Sequence, residues 1–429
     1  MTENEKGFTN ARSLLGGLAE AMNLINHEVE AHHQQTAYLT YMIASSAGFD
    51  RRGLELAVYA SLLHDVGAVM YEQQESVAEI EREALEVSRT GASMLRGIPV
   101  LEDAAEIIER CQLSWSSLQR MHENNECDCE EAELCMHTAS IVHLADAVSL
   151  MAKPDIPILD QVKGICDIVR SMKGTEFSEK AVEAFLGISG LEFVWFDLMY
   201  RPSLLMIFAG EIKQVSLDMT VQLTALMSRI IDFRSSFTAM HSAGVAASAE
   251  KLATLAGMSE DEVKMMRIAG YLHDAGKLRV PRAILEKPGK LTDAEFNIIK
   301  EHPYFTRLIL MNIDGFGKIA DWAGFHHEKL SGRGYPFHFG AEQLDTGSRI
   351  MAVADIFSAI TEVRPYRAGM PREKALAVLG ENVKNESISG DIVSLLEENY
   401  DEVDYARDTE SRAAGKRYFD SLSQVSSAV

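Results

Sequence analysis

Histidine and aspartate residues occur in the second half of the chain where an apolar helix would not be expected to carry them. His273 and Asp274 lie in the run GYLHDAGKL, in which Lys277 follows one helical turn later. Burial of these polar side chains without a ligand would be costly. Imidazole and carboxylate groups bind Zn, Mn and Fe, and an adjacent His-Asp pair can serve two metals if the carboxylate bridges them. The pattern predicts metal chemistry, although a His-Asp dipeptide alone is weak evidence.

Further candidate ligands lie on both sides of this pair. His241 precedes His273 by 32 residues, and Asp355 follows Asp274 by 81 residues. Between them the chain carries an EHP run and the motif FHHEKLSGRGYP, and the number of ligands fits two metal centres. The first set would consist of His241, His273, Asp274 and Asp355. The second set would share the bridging Asp274 and add His302, His326 and His327.

From about Leu217 to Leu379 the chain resembles the HD-GYP family, a branch of the HD phosphohydrolase superfamily. The sequences that carry the resemblance are HS at 241–242, HDAGK at 273–277, HP at 302–303, HHE and GRGYP within 326–336, ADIFSAIT at 354–361 and RPYR at 364–367. The resemblance implies a helical bundle with a non-haem iron or manganese centre that hydrolyses a phosphodiester bond of cyclic di-GMP. It also implies that the seven residues above are the metal ligands. His and Asp ligands do not choose between the two metals, and nickel or magnesium also stays open.

The motifs also indicate residues that would act on the substrate. Asp274 and Lys277 are the expected catalytic residues. Two metals bridged at Asp274 would activate water and neutralise negative oxygens, and Lys277 would protonate or stabilise the leaving 3′ oxygen. Arg364 and Arg367 resemble the family's phosphate-holding pair, and guanidinium groups suit forked contacts with phosphate.

The GRGYP sequence predicts a shaped loop beside this site. Its glycines allow backbone angles that other residues avoid, and its proline stiffens the turn. Arg333 and Tyr335 are expected to contact substrate, with Tyr335 offering an aromatic face and a hydroxyl group rather than catalysing a step. The alternative is that the loop binds a protein partner.

Three positions depart from the family pattern. Phe237 stands where some members carry a Glu that helps to bind a third metal, which favours two metals here. Ser331 and Ser358 each replace an Asp. Neither serine removes a core ligand, but both could alter the hydrogen bonds of the pocket, which leaves the choice open between cyclic di-GMP and 3′3′-cyclic GMP-AMP.

The elements that position these residues are predicted by an internal repeat. The first half carries the same polar pattern at a constant offset of 209 residues, and LLHDVG matches YLHDAG as HLADAVS matches AVADIFS. The repeated residues are His32, His64, Asp65 and Asp146. The repeat predicts two related helical domains, 1–210 and 211–429, joined by a long helix.

The first domain is predicted to be a degenerate HD-type domain with a regulatory or dimerisation role. It has no HHE or GYP sequence, and Ala68 stands where Lys277 would be. Its four repeated residues could still hold a single metal, to which Glu28 could add a ligand, while His33 is expected to pack or to face solvent. The cysteines Cys127 and Cys129 match no strong zinc spacing and indicate an acidic loop.

The fold class predicted from the pattern is all-α. Alternating β-branched runs are rare, and apolar residues recur at helical spacing from end to end. Ser259 with Glu262 and Thr292 with Glu295 predict capping boxes at helix starts. The stretch Val215–Phe237 predicts the long helix that leads into the second half.

Length and charge limit the classes of protein to which this chain can belong. A chain of 429 residues favours two domains, and its formal net charge of −23 argues against DNA or RNA as a partner. The N-terminus is polar, and no run of about 18 apolar residues is present, so we expect no membrane segment. The odd number of cysteines favours a reducing compartment, and the protein is predicted to be cytoplasmic. Nothing in the sequence excludes a homodimer.

These observations predict a metal-dependent phosphodiesterase that converts a cyclic dinucleotide into a linear one. Two alternatives stay open at this point. One is a non-catalytic effector that binds the nucleotide or a protein partner. The other is an HD enzyme that acts on a different phosphoester.

Overall fold

The computed structural model describes residues 7–24, 32–70, 77–96, 101–124, 132–200, 214–232, 240–287, 289–362 and 369–427. The regular secondary structure in these ranges is helical apart from a short antiparallel sheet, in which β1 (Thr9–Asn10) pairs with β2 (Gln214–Val215), and two isolated β-bridges. The all-α prediction is confirmed.

The chain divides into two compact units. The first comprises residues 18–211, and the second comprises residues 1–17 together with residues 212–429. The initial segment belongs to the second unit because β1 pairs with β2, and because the side-chain amide of Asn10 donates to Asp314 Oδ2 at 2.6 Å. The predicted division after residue 210 did not include this pairing, because nothing in the sequence indicates that Thr9 and Val215, 206 positions apart, lie side by side.

The first unit is built around α7, a helix whose side chains are mostly buried. The described helices of the unit are α2 (His32–Ser46), α3 (Arg51–Leu63), α4 (Val77–Leu95), α5 (Glu102–Arg110), α6 (Trp115–Glu123), α7 (Ala132–Met151), α8 (Ile158–Ser171), α9 (Glu179–Ile188) and α10 (Glu192–Tyr200), with a 3₁₀ turn at Val66–Met70; α1 (Ala11–Asn23) precedes them. By length and hydropathy α7 could cross a bilayer, but 67% of that window is buried inside the protein. It contacts α2, α3, α5 and α9, so α7 is a core helix.

The second unit repeats this arrangement and extends it. Its described helices are α11 (Leu217–Asp232), α12 (His241–Leu255), α13 (Glu260–Leu272), α14 (Arg282–Leu285), α15 (Asp293–Ile299), α16 (His302–Met311), α17 (Gly317–Gly324), α18 (Thr346–Thr361), α19 (Arg372–Lys384), α20 (Gly390–Glu398) and α21 (Tyr400–Ser427), with a 3₁₀ turn at Ala275–Arg279. Both predicted capping boxes are present at the starts of α13 and α15. The helix predicted over Val215–Phe237 is α11, and Phe237 itself lies outside the described residues.

Candidate metal centre

The HD dipeptide of the second unit occupies a sharp turn between two helical segments. Helix α13 ends at Leu272, and after His273 and Asp274 the chain continues as the 3₁₀ turn. Gly276 is required in that turn, because an added Cβ would lie 2.1 Å from the main-chain oxygen of His302. The close approach places the start of α16, and with it His302, beside Asp274.

The first predicted set of residues converges from three helix ends and one helix middle. Nε2 of His241 lies 3.1 Å from Oδ1 of Asp355, and Nε2 of His273 lies 3.9 Å from the same oxygen. Nε2 of His273 is also 3.3 Å from Oδ2 of Asp274. All four side chains are buried. The ligand atoms of His241, His273 and Asp355 lie within 4.8 Å of one another, and Asp274 joins His273 in a second such group with His326.

The second predicted set meets the first at Asp274. Oδ1 of Asp274 lies 3.4 Å from Nε2 of His302 and 4.0 Å from Nε2 of His326. The ligand atoms of His302, His326 and His327 all lie within 4.8 Å of one another. Since the two oxygens of Asp274 face different groups of histidines, the carboxylate has the geometry of a bridge.

Hydrogen bonds fix which ring nitrogen three of these histidines present. Nδ1 of His273 donates to the carbonyl of Gly270 at 2.8 Å, and Nδ1 of His302 donates to the carbonyl of Ile299 at 2.7 Å. Nδ1 of His326 donates in the same way at 2.6 Å. Because a carbonyl only accepts, each Nε2 carries its lone pair toward the cluster in the neutral ring.

The cluster is therefore rich in acceptors that face one another. Nε2 of His302 and Nε2 of His326 lie 3.2 Å apart, and both carry lone pairs. In the described part of the chain, Nε2 of His273 and Oδ1 of Asp274 are buried without a hydrogen-bond partner. Buried acceptors of this kind are unfavourable unless a cation lies among them. These residues fit divalent metal ions.

The protonation states of His302, His326 and Asp274 suit metal binding. Burial lowers the pKa of His302 to about 3 and that of His326 to about 4, so both rings are neutral at physiological pH. Burial alone would raise the pKa of Asp274, but interactions with the neighbouring His273 and Lys277 side chains outweigh it and hold that pKa well below its usual range. Neutral imidazole and ionised carboxylate are the metal-binding forms of these groups. Burial alone would lower the pKa of His241, but Asp355 and Glu362 outweigh it and raise that pKa to about 9, so a metal that binds this ring displaces a proton.

The first unit contains a matching group, in which His32, His64 and Asp146 are buried and Asp65 is partly exposed. Nε2 of His32 lies 3.0 Å from Oδ1 of Asp146, and Nε2 of His64 lies 3.5 Å from the same oxygen and 3.2 Å from Oδ2 of Asp65. Nδ1 of His64 donates to a main-chain carbonyl, as Nδ1 of His273 does. The four residues predicted from the repeat lie together.

Comparison with known proteins agrees with this duplicated geometry. Residues 29–151 and residues 225–392 match two family models, each described as an HD domain. The chain carries two HD domains. They coincide with the two groups of His and Asp residues, and the second is the one with the HD-GYP motifs.

Several characterised proteins are similar to this chain. The 3′3′-cGAMP-specific phosphodiesterase 1 of Vibrio cholerae is 25% identical over 91% of this chain and 92% of its own length. A 3′3′-cGAMP-specific phosphodiesterase 3 of the same organism is 33% identical over 53% of this chain and 54% of its own length. A cyclic di-GMP phosphodiesterase of Pseudomonas aeruginosa is 36% identical over 40% of this chain and 42% of its own length.

A solved structure is similar in fold over nearly the whole chain. It is a cyclic GMP-AMP specific phosphodiesterase of Vibrio cholerae, with a TM-score of 0.62 and 22% identity. The likeness covers 92% of this chain and 98% of that one. At this identity it shows that the two share a fold.

The structure shows which residues of the first HD domain stand where the second group of histidines would be. Gly67 packs against the main chain of Val87 and Gly91, as Gly276 packs against His302 and Thr306. This equivalence places Val87 at the position of His302, an offset of 215 residues. The same offset places Cys111 and Gln112 at the positions of His326 and His327.

Gln112 also changes the surroundings of the shared carboxylate. Its amide nitrogen donates to Oδ2 of Asp146 at 3.0 Å, whereas Oδ2 of Asp355 in the second domain lies 3.9 Å from Nδ1 of His327. A neutral amide therefore takes the place of a candidate ligand. The first HD domain keeps one candidate group that matches the second domain, lacks equivalents of the other histidines, and instead brings His33 to His64 and Asp65.

Other predictions for the first domain have mixed outcomes. His33 does not face solvent: it is buried beside His64, and burial lowers its pKa to about 3. Glu28, Cys127 and Cys129 lie outside the described residues. His137 stacks on Trp115 at 5.0 Å between ring centroids, a packing contact.

The predicted substrate residues are distributed unevenly around the second site. Nζ of Lys277 lies 2.5 Å from Oδ2 of Asp274, so this side chain lies beside the cluster and contacts its shared carboxylate. The ring of Tyr335 lies 4.9 Å from that of His327, and Arg333 is exposed. Arg364 and Arg367 lie outside the described residues.

Glu328 is a residue whose role the sequence did not reveal. Its buried carboxylate accepts from the main-chain N–H of Phe337 at 2.7 Å and from that of Phe339 at 3.0 Å. Gly334 packs back onto it, since an added Cβ would lie 2.4 Å from Glu328 Cα. The third residue of HHE therefore ties the GYP loop to the histidine pair. In the sequence, the position of Glu328 a few residues before a glycine-rich loop could have indicated this role.

Replacement of Glu328 by alanine is expected to lower the free energy of unfolding by about 1–3 kcal/mol, because two buried main-chain donors lose their acceptor. The loop at 331–340 should become more accessible to protease, while metal content stays unchanged. Thermal unfolding, limited proteolysis and metal analysis would measure these effects. Glu342→Ala, an exposed change in the same loop, is the matched control. Loss of metal in Glu328→Ala would instead make the carboxylate a ligand.

Proposed function

We propose that the second HD domain hydrolyses a phosphodiester bond of a cyclic dinucleotide, cyclic di-GMP or 3′3′-cyclic GMP-AMP, to give a linear dinucleotide. The observation that carries the proposal is Asp274, whose two oxygens face two separate groups of histidines. Such a bridge is typical of two-metal sites that act on phosphate esters. The activities named for the similar Vibrio and Pseudomonas proteins support the substrate class.

The proposed cofactor is a pair of divalent ions, iron or manganese, with nickel or magnesium as further candidates. When bound, the pair would supply an activated water and positive charge for the phosphate oxygens. The proposed ligands are His241, His273, Asp274 and Asp355 for one ion and Asp274, His302, His326 and His327 for the other. Nitrogen-rich ligand sets with a bridging carboxylate favour iron, manganese or nickel over calcium.

Other side chains of this domain are proposed to contact the substrate or its leaving oxygen. Lys277 lies beside the bridging carboxylate, where its ammonium group can stabilise or protonate a leaving oxygen. Tyr335 offers one wall of the pocket next to His327. Arg333, Arg364 and Arg367 are proposed to hold the phosphates of the substrate, because a strongly acidic chain needs local cations to attract a dianion.

Product analysis by chromatography tests this function. Anaerobically purified protein with iron or manganese would be offered cyclic di-GMP, cyclic GMP-AMP and cyclic di-AMP separately. We expect metal-dependent formation of a linear dinucleotide from at least one of the first two. Absence of cleavage in protein that carries two metals in this domain would overturn the proposal, and nucleotide binding without turnover would then assign an effector.

For the first HD domain we propose a regulatory or dimerising role around at most one ion. His32, His64, Asp65 and Asp146 supply one group of ligands, and Gln112 and Val87 stand where a second group would be needed. The protein as a whole is proposed to be cytoplasmic.

The metal content of two variants checks this count. Asp274→Ala should retain about one ion per chain, since its first domain is intact. Asp274→Ala combined with Asp146→Ala should retain none, because a carboxylate that contacts both first-domain histidines is lost. Elemental analysis after dialysis would measure both. A metal-free Asp274→Ala protein would mean that the first domain binds no ion.

A further inference from the structure

One histidine of the candidate metal centre is held differently from its neighbours. Nδ1 of His273, His302 and His326 each donates to a main-chain carbonyl. In the described part of the chain, Nδ1 of His241 is buried with no hydrogen-bond partner. Oε2 of Glu362 lies 3.5 Å from this nitrogen, on the side of the ring away from Asp355.

The backbone around Glu362 fixes the position of this carboxylate. Glu362 is the residue directly after α18, and its N–H donates to the carbonyl of Ser358 at 3.0 Å. The returning chain packs against the same point, because a Cβ on Gly369 would lie 2.1 Å from the main-chain oxygen of Thr361. The Glu362 residue is only 3% exposed. The carboxylate is therefore held next to His241 by the end of the helix that also carries Asp355.

The first HD domain provides an internal comparison. Its equivalent histidine, His32, has Nδ1 3.0 Å from Oγ of Ser149, and Ser149 corresponds to Ser358 at the repeat offset of 209. In the second domain Ser358 is turned to Ser248 instead, with 3.3 Å between their oxygens. A neutral hydroxyl group thus holds the histidine of one domain, and a carboxylate takes its place in the other.

We propose that Glu362 is a positioning residue that accepts the Nδ1–H of His241 and directs Nε2 of that ring to the first metal. A carboxylate in this place fixes the tautomer and makes the imidazole a stronger donor to the metal. We expect the 3.5 Å separation between Nδ1 of His241 and Oε2 of Glu362 to shorten to a hydrogen bond in the metal-bound protein. This inference rests on the proposed metal site and adds to it a residue that contacts no metal.

Metal affinity tests the role of Glu362 without reference to activity. Cobalt(II)-loaded wild-type protein, Glu362→Ala and Glu362→Gln would be titrated with a chelator while the visible cobalt spectrum is recorded. Glu362→Ala should lose affinity at one ion about 10- to 100-fold. Glu362→Gln should recover most of this loss, because its amide oxygen still accepts the Nδ1–H. Ser358→Ala, which removes a neighbouring buried hydroxyl group, is the matched control and should leave the affinity unchanged.

A second readout covers the case in which Glu362→Ala does not fold. Histidines that bind cobalt through Nε2 keep an exchangeable Nδ1–H, whose proton signal is shifted by the metal. One such signal should move in Glu362→Gln relative to wild type. Equal affinities and an unmoved signal would overturn the role of Glu362 while leaving the metal site standing. Absence of cobalt from the second domain of the wild-type protein would overturn the site itself, and the inference with it.

Discussion

Asp274→Ala is expected to abolish hydrolysis of a cyclic dinucleotide, lowering the rate by roughly 10³-fold or more. The reason is that Asp274 is shared: its two oxygens lie 3.3 and 3.4 Å from the nearest nitrogens of two different histidine groups. Its loss removes a ligand from both ions at once. Steady-state kinetics and metal analysis on the same sample would measure the result.

The control for this variant is Asp391→Ala, an exposed aspartate in the same unit. It should keep both the metals and the rate. Retention of two ions in the second domain of Asp274→Ala, together with near-normal turnover, would contradict the bridging role of the carboxylate.

Lys277→Ala is expected to lower kcat by about 10²- to 10³-fold while the metals stay bound, because the leaving oxygen loses its acid or its stabilising charge. Nζ of Lys277 lies 2.5 Å from Oδ2 of Asp274, so the ammonium group contacts the proposed bridging carboxylate. The first HD domain carries Ala68 at the equivalent position, so alanine is compatible with the local fold. Rapid-mixing kinetics would separate kcat from substrate binding.

Lys277→Arg and Lys318→Ala complete this experiment. Arginine keeps the positive charge and should recover part of kcat if charge stabilisation dominates, but not if proton transfer does, since guanidinium does not deprotonate. Lys318 is exposed in the same unit, and its replacement should have no effect. Loss of metal in Lys277→Ala would show instead that the lysine acts by holding Asp274.

The chemistry of the second domain could be predicted because its residues are conspicuous in an apolar context. His273, Asp274 and Lys277 interrupt a buried helical run, and a side chain of that kind is rarely buried without a purpose. The offset of 209 residues then indicated His32 and Asp146 without any knowledge of the fold. Local signals such as the capping box at Ser259 were equally reliable, because they depend on neighbours three residues away.

Contacts between distant segments gave no such signal. Glu362 lies 121 residues from His241, and nothing in its surroundings in the sequence distinguishes it from a surface glutamate. The pairing of Thr9 with Val215 joins segments that are 206 residues apart. The burial of His33 also depends on which face of α2 meets α3, and periodicity alone left that face undecided.

The amino-acid sequence by itself determined the helical class, the duplication and the identity of the candidate ligands, since all three follow from side-chain type and spacing along one chain. Only the tertiary structure decided that Asp274 faces two groups of histidines, that Gln112 occupies the place of a ligand in the first domain, and that a carboxylate stands behind His241. These facts depend on how helix ends meet in space, and such meetings are set by packing over the whole unit rather than by any local pattern.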